Sequence, residues 1–348
     1  MKLLSLIVLA AMCTYGLHAQ QPQRATKTVL PPVPSSTFSA SGFADYYYHV
    51  QNPLEAEKGG NAFDLRRVNI GFEHLFSRTV NVFTQVEANS NGASAEYSLF
   101  MKQAYVEVKN ILPQMRVVMG LSPTPAVVTS ERIWGYRSLE ALPLELYGMA
   151  PSVDNGIAMK GKIDPDGVIS YHVMVGNGTG TLRETDKIKR LYASIGLTPM
   201  TGFTIEGYGD FENAGNERYR ATFKGLIGLE ENDYAFGLEG IYRINHHTVT
   251  QWYNQSPYAI SIYGWGQLAD AIRIVYRGDY YDDDQNNSSN GIRTVQAMAG
   301  IDYLPVPEVH LIPNVMYASY TNKNSAAPKL DNALTVRLTA AFSFSSLK

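Results

Sequence analysis

The sequence predicts an all-β fold: a transmembrane antiparallel β-barrel of about sixteen strands, with one connection folded inward as a constriction loop. Three observations carry that expectation. Segments of about ten residues alternate apolar with polar along most of the chain. The connections between these segments sort by parity, short turns alternating with longer loops. One stretch, residues 122–154 (SPTPAVVTSERIWGYRSLEALPLELYGMAPSVD), abandons the alternation altogether, and connections this long inside a compact domain tend to carry function.

Composition points the same way. Only 18% of the residues are charged, while Tyr (23 residues) and Gly (29 residues) are plentiful, as suits many strands with aromatic girdles. The formal net charge of −3 argues against a nucleic-acid surface, which needs a basic patch. No stretch beyond residue 20 has the roughly 18 consecutive apolar residues of a spanning helix. A closed barrel needs none, because it satisfies every backbone group between its strands.

The chain opens on Lys2 and an apolar run over residues 3–12, then Leu17-His18-Ala19 before Gln20. This predicts a signal peptide over residues 1–19. Cys13 is the only cysteine, so the mature chain has no disulfide, thiol chemistry or cysteine metal site. Removing Lys2 leaves 28 basic against 32 acidic residues, a charge of −4. Residues 20–37, with Pro22, Pro31, Pro32 and Pro34, predict an extended periplasmic tail. The barrel is expected over residues 38–348.

Its strands follow in order. Over residues 38–50, Ala44, Tyr46, Tyr48 and Val50 oppose Asp45, Tyr47 and His49. Over 63–76, Val68, Ile70 and Phe72 oppose Arg67, Asn69 and Glu73; over 79–89, Val80, Val82 and Val86 oppose Asn81, Gln85 and Glu87. Residues 99–109 set Ala104, Val106 and Val108 against Gln103, Tyr105 and Glu107, and 114–121 lead into the long loop. After it, 156–163 and 168–177 flank Asp164-Pro165-Asp166-Gly167, residues suited to a tight turn. Further strands are expected at 187–197, 203–212, 218–228, 233–244, 258–267, 271–281, 292–304, 309–321 and 332–344. Short connections on one side and long loops on the other place both termini on the periplasmic side of an outer membrane. Lipid and lipopolysaccharide are then the surroundings.

An apolar exterior over a polar interior implies a wet lumen. Arg67, Glu87, Glu107, Arg116, Lys160, Lys162 and Arg190 are expected on its wall. Ser130, read as an N-cap, precedes Glu131, Arg132, Trp134, Tyr136, Arg137 and Glu140, which are expected to form the constriction opposite Arg67, Arg116 and Lys160. Acids crowd the first four strands and bases the strands after the loop. Mixed charge predicts weak selectivity, unlike a ring of one sign. The function these features imply is passive passage of small hydrophilic solutes or ions, with no chemistry performed on them. An adhesion barrel with a blocked lumen is the alternative. No HExxH, nucleophile elbow or phosphate loop is present, so no enzyme, cofactor or metal is expected. Asp282-Asp283-Asp284 lacks the Gly of a calcium loop and reads as a solvated loop tip.

Several motifs resemble the porin O/P family. They are GFADYYYHV (42–50), LRRVNIGFEH (65–74), KQAYVEV (102–108), RVVMGLSPTP (116–125), ERIWGYRSLE (131–140), the spaced Asp154, Gly156 and Gly161, and SYHVMVGNGTG (170–180). The resemblance implies a sixteen-stranded channel, usually trimeric, with an inserted constriction loop. The family includes phosphate-selective members that use arginine ladders and lysine clusters. Here acids are interspersed, and Arg132 and Arg137 are the only bases in the loop.

Overall fold

The computed structural model describes residues 33–90, 97–215, 217–246 and 254–346. The expected signal peptide and residues 20–32 of the expected tail lie outside the described residues. Strands run in sequence order: β1 (Ser35–Gln51), β2 (Asn61–Leu75), β3 (Val80–Ser90), β4 (Tyr97–Lys109) and β5 (Met115–Pro123). After the long loop come β6 (Val153–Lys162), β7 (Ile169–Gly176), β8 (Arg190–Met200), β9 (Phe203–Gly215), β10 (Arg218–Glu230) and β11 (Tyr234–His246). The last five are β12 (Tyr258–Ala269), β13 (Ile272–Asp282), β14 (Ile292–Val306), β15 (Val309–Asn322) and β16 (Ala333–Ser345). Each pairs antiparallel with its neighbours, and β1 pairs with β16 from Ser39↔Ser345 to Gln51↔Leu334, closing the barrel. β1 begins at Ser35, inside the stretch expected to be tail.

The short connections (76–79, 110–114, 163–168, 201–202, 231–233, 270–271 and 307–308) all fall at one end, where β1 starts and β16 ends. The longer ones fall at the other, apart from residues 216–217 between β9 and β10. Large apolar side chains such as Ile70, Phe72, Val336 and Leu338 face outward, whereas Asp45, Glu87 and Arg337 are buried inside. Among the Asp282-Asp283-Asp284 carboxylates sits a cation of the chain itself. Lys323 pairs with Asp282, lies 3.3 Å from Asp283 and donates to the Asp284 carbonyl at 2.6 Å.

Among the register shifts of the described strands, those in β2 and β4 change which residues face the lumen near the loop. Phe43 pairs with Arg67 and Ala44 with Leu65, so Arg66 has no partner opposite it. Gln85 pairs with Gln103 and Val86 with Met101, which leaves Lys102 likewise unpaired. An extra residue in one strand moves everything beyond it to the other face. Leu65 and Ile70 are both outward-facing despite their odd spacing, and Arg66 and Arg67 both turn inward, their guanidinium groups 4.7 and 5.6 Å from the Phe43 ring centre.

The loop between β5 and β6 folds into the barrel and carries two short helices, α1 (Val128–Trp134) and α2 (Pro143–Leu146). Helix α1 ends at Gly135, whose N–H donates to the Glu131 carbonyl and whose φ of 65° turns the chain out of the helix. The buried apolar core lies here, between loop and inner wall. Ile133, Trp134, Leu139, Leu142, Leu144 and Met149 pack against inward-facing Leu226, Ile241, Tyr263, Val275, Met298 and Ile312. Each such side chain stabilises by roughly 1.5–3 kcal/mol when buried. The inner wall beneath the loop is therefore mixed, apolar side chains lying among buried charged ones, which an all-polar lumen did not anticipate.

Gly228 makes the space for α1: a Cβ there would lie 2.2 Å from Ile133 Cδ1. Gly228→Val should lower stability by about 1–3 kcal/mol through overpacking, measured as thermal unfolding in detergent. Pairing it with Ile133→Ala should restore part of the loss. An unchanged transition in the single variant would show that α1 does not depend on this seat.

Candidate pore constriction

Wall cations fasten the loop by its main chain. Arg337 donates to the Leu139 carbonyl at 2.7 Å, Arg277 to Ala141 at 2.6 Å, and Arg243 to Gly148 at 2.7 Å. Arg190 reaches the Met149 carbonyl at 3.2 Å, Lys224 the Ala126 carbonyl at 2.6 Å, and Arg66 the Ser138 carbonyl. These cations are buried or half-buried, and burial of a charge is tolerated only with partners. Asp210 lies 2.7 Å from Arg190, Asp279 2.8 Å from Arg277, Glu206 3.0 Å from Lys224 and Asp45 3.5 Å from Arg337. At the loop's base, Thr124 Oγ1 donates to the Pro151 carbonyl at 2.7 Å. Asp154 accepts from Tyr192 Oη at 2.7 Å and from the Gly178 N–H at 2.6 Å.

The residues expected at the constriction separate into two groups. Trp134 is fully buried, edge-on to Tyr263 at 5.6 Å, and donates its indole N–H to the Glu140 carbonyl at 3.0 Å. It belongs to the seat, because a large ring on the helix's apolar face finds its burial against the wall. Tyr136 is also largely buried and donates to Asp302 Oδ2 at 2.8 Å. Burial, followed by the Asp302 carboxylate, raises the phenol far above its usual range. Arg132 lies 3.3 Å from Glu230, near the short-turn end of β10. Ser130 is no N-cap: Val127 holds that place, and Ser130 Oγ, buried within α1, donates to Glu239 at 2.7 Å.

Arg137, half-buried, is the loop side chain that lines open space on both sides of the loop. It pairs with Glu145 through both terminal nitrogens, one contact at 2.9 Å, and reaches Glu131 at 3.2 Å. A cavity of about 520 Å³ opens above it toward the long-loop end, lined by Arg67, Glu87, Lys102, Arg137, Glu145, Arg190, Arg220 and Arg243. A second, of about 220 Å³, lies below toward the short turns, lined by Phe43, Arg67, Asn69, Tyr136, Arg137, Ser138 and His310 among others. Arg67 and Arg137 alone line both. Glu87, fully buried, lies 3.2 Å from Arg67 and 3.9 Å from Lys102.

Other wall residues stand away from this junction. Glu107 sits among Lys109 at 3.5 Å, Arg116 at 3.6 Å and Lys160 at 3.6 Å, near the short-turn ends of β4, β5 and β6. Arg116 and Lys160, expected opposite the loop, line neither cavity. Lys162 ends β6, exposed. Arg66 and Lys102 escaped the sequence reading because each occupies a bulge. The signal was the phase change in outward apolar residues, from Leu65 to Val68 and from Met101 to Ala104.

No family model and no curated protein matches the chain. Solved structures do. The loop L8 deletion mutant of OmpT, an outer membrane protein of Vibrio cholerae, is similar with a TM-score of 0.65 at 10% identity, covering 90% of this chain and 100% of that one. The outer membrane channel DcaP of Acinetobacter baumannii gives 0.64 at 14% identity, over 89% and 97% of the two chains. An anion-selective porin from Comamonas acidovorans gives 0.63 at 9% identity, over 89% and 99%. Identities this low carry likeness of fold. The chain therefore has the closed sixteen-stranded fold of the outer-membrane porins, with an inward loop between its fifth and sixth strands.

Proposed function

We propose that this barrel is an outer-membrane diffusion channel for small hydrophilic solutes and ions, modestly preferring anions. The observation that carries the reading is a pair of polar-lined cavities, one on each side of the loop, that share Arg67 and Arg137 in their linings. These two side chains set the opening, with Glu131, Glu145 and Glu87 as its counter-charges; Trp134 and Tyr136 hold the loop in place. Cations outnumber carboxylates in the upper cavity, and a cleft of one dominant sign concentrates counter-ions. Asp210 and Glu212, paired behind Arg190 and Arg220, take up part of that field, which keeps the preference modest. Lys109, Arg116 and Lys160 around Glu107 extend the positive wall toward the short-turn mouth.

The porin O/P resemblance, with its phosphate preference, is the finer form of this proposal. So are cleavage after residue 19, a Pro-rich periplasmic tail, periplasmic termini and a homotrimer in lipid and lipopolysaccharide. The OmpT of Vibrio cholerae has been solved in a trimer form. Single-channel recording in planar bilayers under a salt gradient tests the reading. Discrete conductance steps are expected, with a reversal potential favouring chloride over potassium and a comparison run in phosphate. Silence from correctly folded protein would overturn the channel. It would favour the adhesion barrel, for which the dense ion pairs beneath the loop are the supporting observation.

A further inference from the structure

A third cavity, of about 380 Å³, lies at the long-loop end between β1, β2, β15 and β16, with the loop residue Glu140 at its side. None of its lining residues lines either cavity of the conduction path. Below it, Arg66, Arg337 and Arg277 hold the carbonyls of Ser138, Leu139 and Ala141, so the fastened loop separates it from the short-turn side. Its two cations are already engaged: Arg66 and Arg337 both pair with Asp45. Two further carboxylates, Asp64 and Glu140, face the cavity from different elements and have no ion-pair partner among the described residues. Asp64 takes a 3.4 Å hydrogen bond from Ser90, and Glu140 takes one of 2.8 Å from the Ala141 N–H. Tyr47, tilted against His49 with ring centres 4.8 Å apart, and Tyr320 supply aromatic walls.

We propose that this side pocket binds a small organic cation carrying one or two ammonium groups, beside the solute path and not within it. A carboxylate beside aromatic rings is the chemistry that holds an ammonium group: charge pairing, hydrogen bonding and attraction to the ring faces act together. A concave site with a few polar groups converging on it also favours one orientation of the ligand. The neighbouring cavity, rich in arginine, repels the same ligand. The pocket therefore sorts by sign at the mouth of the barrel.

Putrescine is the probe, titrated calorimetrically into the protein purified in detergent, with butanediol as its uncharged counterpart. Saturable heat is expected with putrescine and none with butanediol. Asp64→Asn combined with Glu140→Gln should weaken binding about ten-fold or more, as loss of charge-assisted hydrogen bonds implies. Glu55→Gln, on an exposed loop, should leave it unchanged. Asp64→Asn alone, on the wall, guards against a misplaced loop and should weaken binding in the same direction. No saturable binding, or equal affinity in the double variant, would overturn the pocket. The outcome is independent of conduction. Binding by a barrel that is silent in bilayers leaves the pocket standing and removes the channel; conduction without binding does the reverse.

Discussion

Deletion of residues 130–140 is expected to raise single-channel conductance roughly two-fold or more, because a barrel of this strand number is an open channel unless something is folded into it. The deletion removes most of α1, the buried Trp134 that seats it, and Arg137 at the junction of the two cavities. It also removes the carbonyls of Ser138 and Leu139, so Arg66 and Arg337 lose those acceptors and turn their charge toward the solvent. Conductance and chloride preference should therefore rise together. Planar bilayers under symmetric and graded salt measure both. Unchanged conductance in folded protein would place the narrowest point elsewhere.

Reversing the two shared arginines, Arg67→Glu with Arg137→Glu, should move the reversal potential to the cation-selective side. Each substitution changes the local charge by two, at the one place where both cavities are lined by the same residues. Interactions at such short range and outside bulk water are screened least. Glu145 and Glu131 would then face a like charge, so the loop tip should loosen and current noise increase. Arg132→Glu is the matched comparison. Arg132 is more than half exposed beside Glu230, and its reversal should leave selectivity almost unchanged. An equal shift from Arg132→Glu would mean that long-range field, and not the junction, sets ion preference.

Much of the architecture was legible in the chain. The period-two alternation located the strands, the sorting of connections by length gave the two ends, and the break at residues 122–154 marked the inward loop. Arg67, Arg137 and Glu87 were also legible, since inward parity and loop position follow from spacing alone. The bulges were not. LRRV and MKQA each set two polar residues between apolar ones, and only the pairing with the neighbouring strand shows that the break is a bulge and not the end of a strand. The roles of Trp134 and Tyr136 were hidden for a different reason. An amphipathic loop segment shows that one face is apolar, not whether that face meets water or a wall. The answer lay on distant strands, in the glycine at Gly228 and in the inward-facing Leu226, Ile241 and Ile312, whose meaning appears only once the barrel has closed.

The wall cations grip the loop through carbonyl oxygens, groups that every amino acid possesses. Identity at Ser138 and Ala141 can drift without loss of those acceptors, while Leu139 and Met149 stay tied to the buried core. The barrel thus works as a fixed socket for an interchangeable cartridge. A lineage, or a designer, can retune what passes by rewriting a handful of exposed positions while the mounting stays the same.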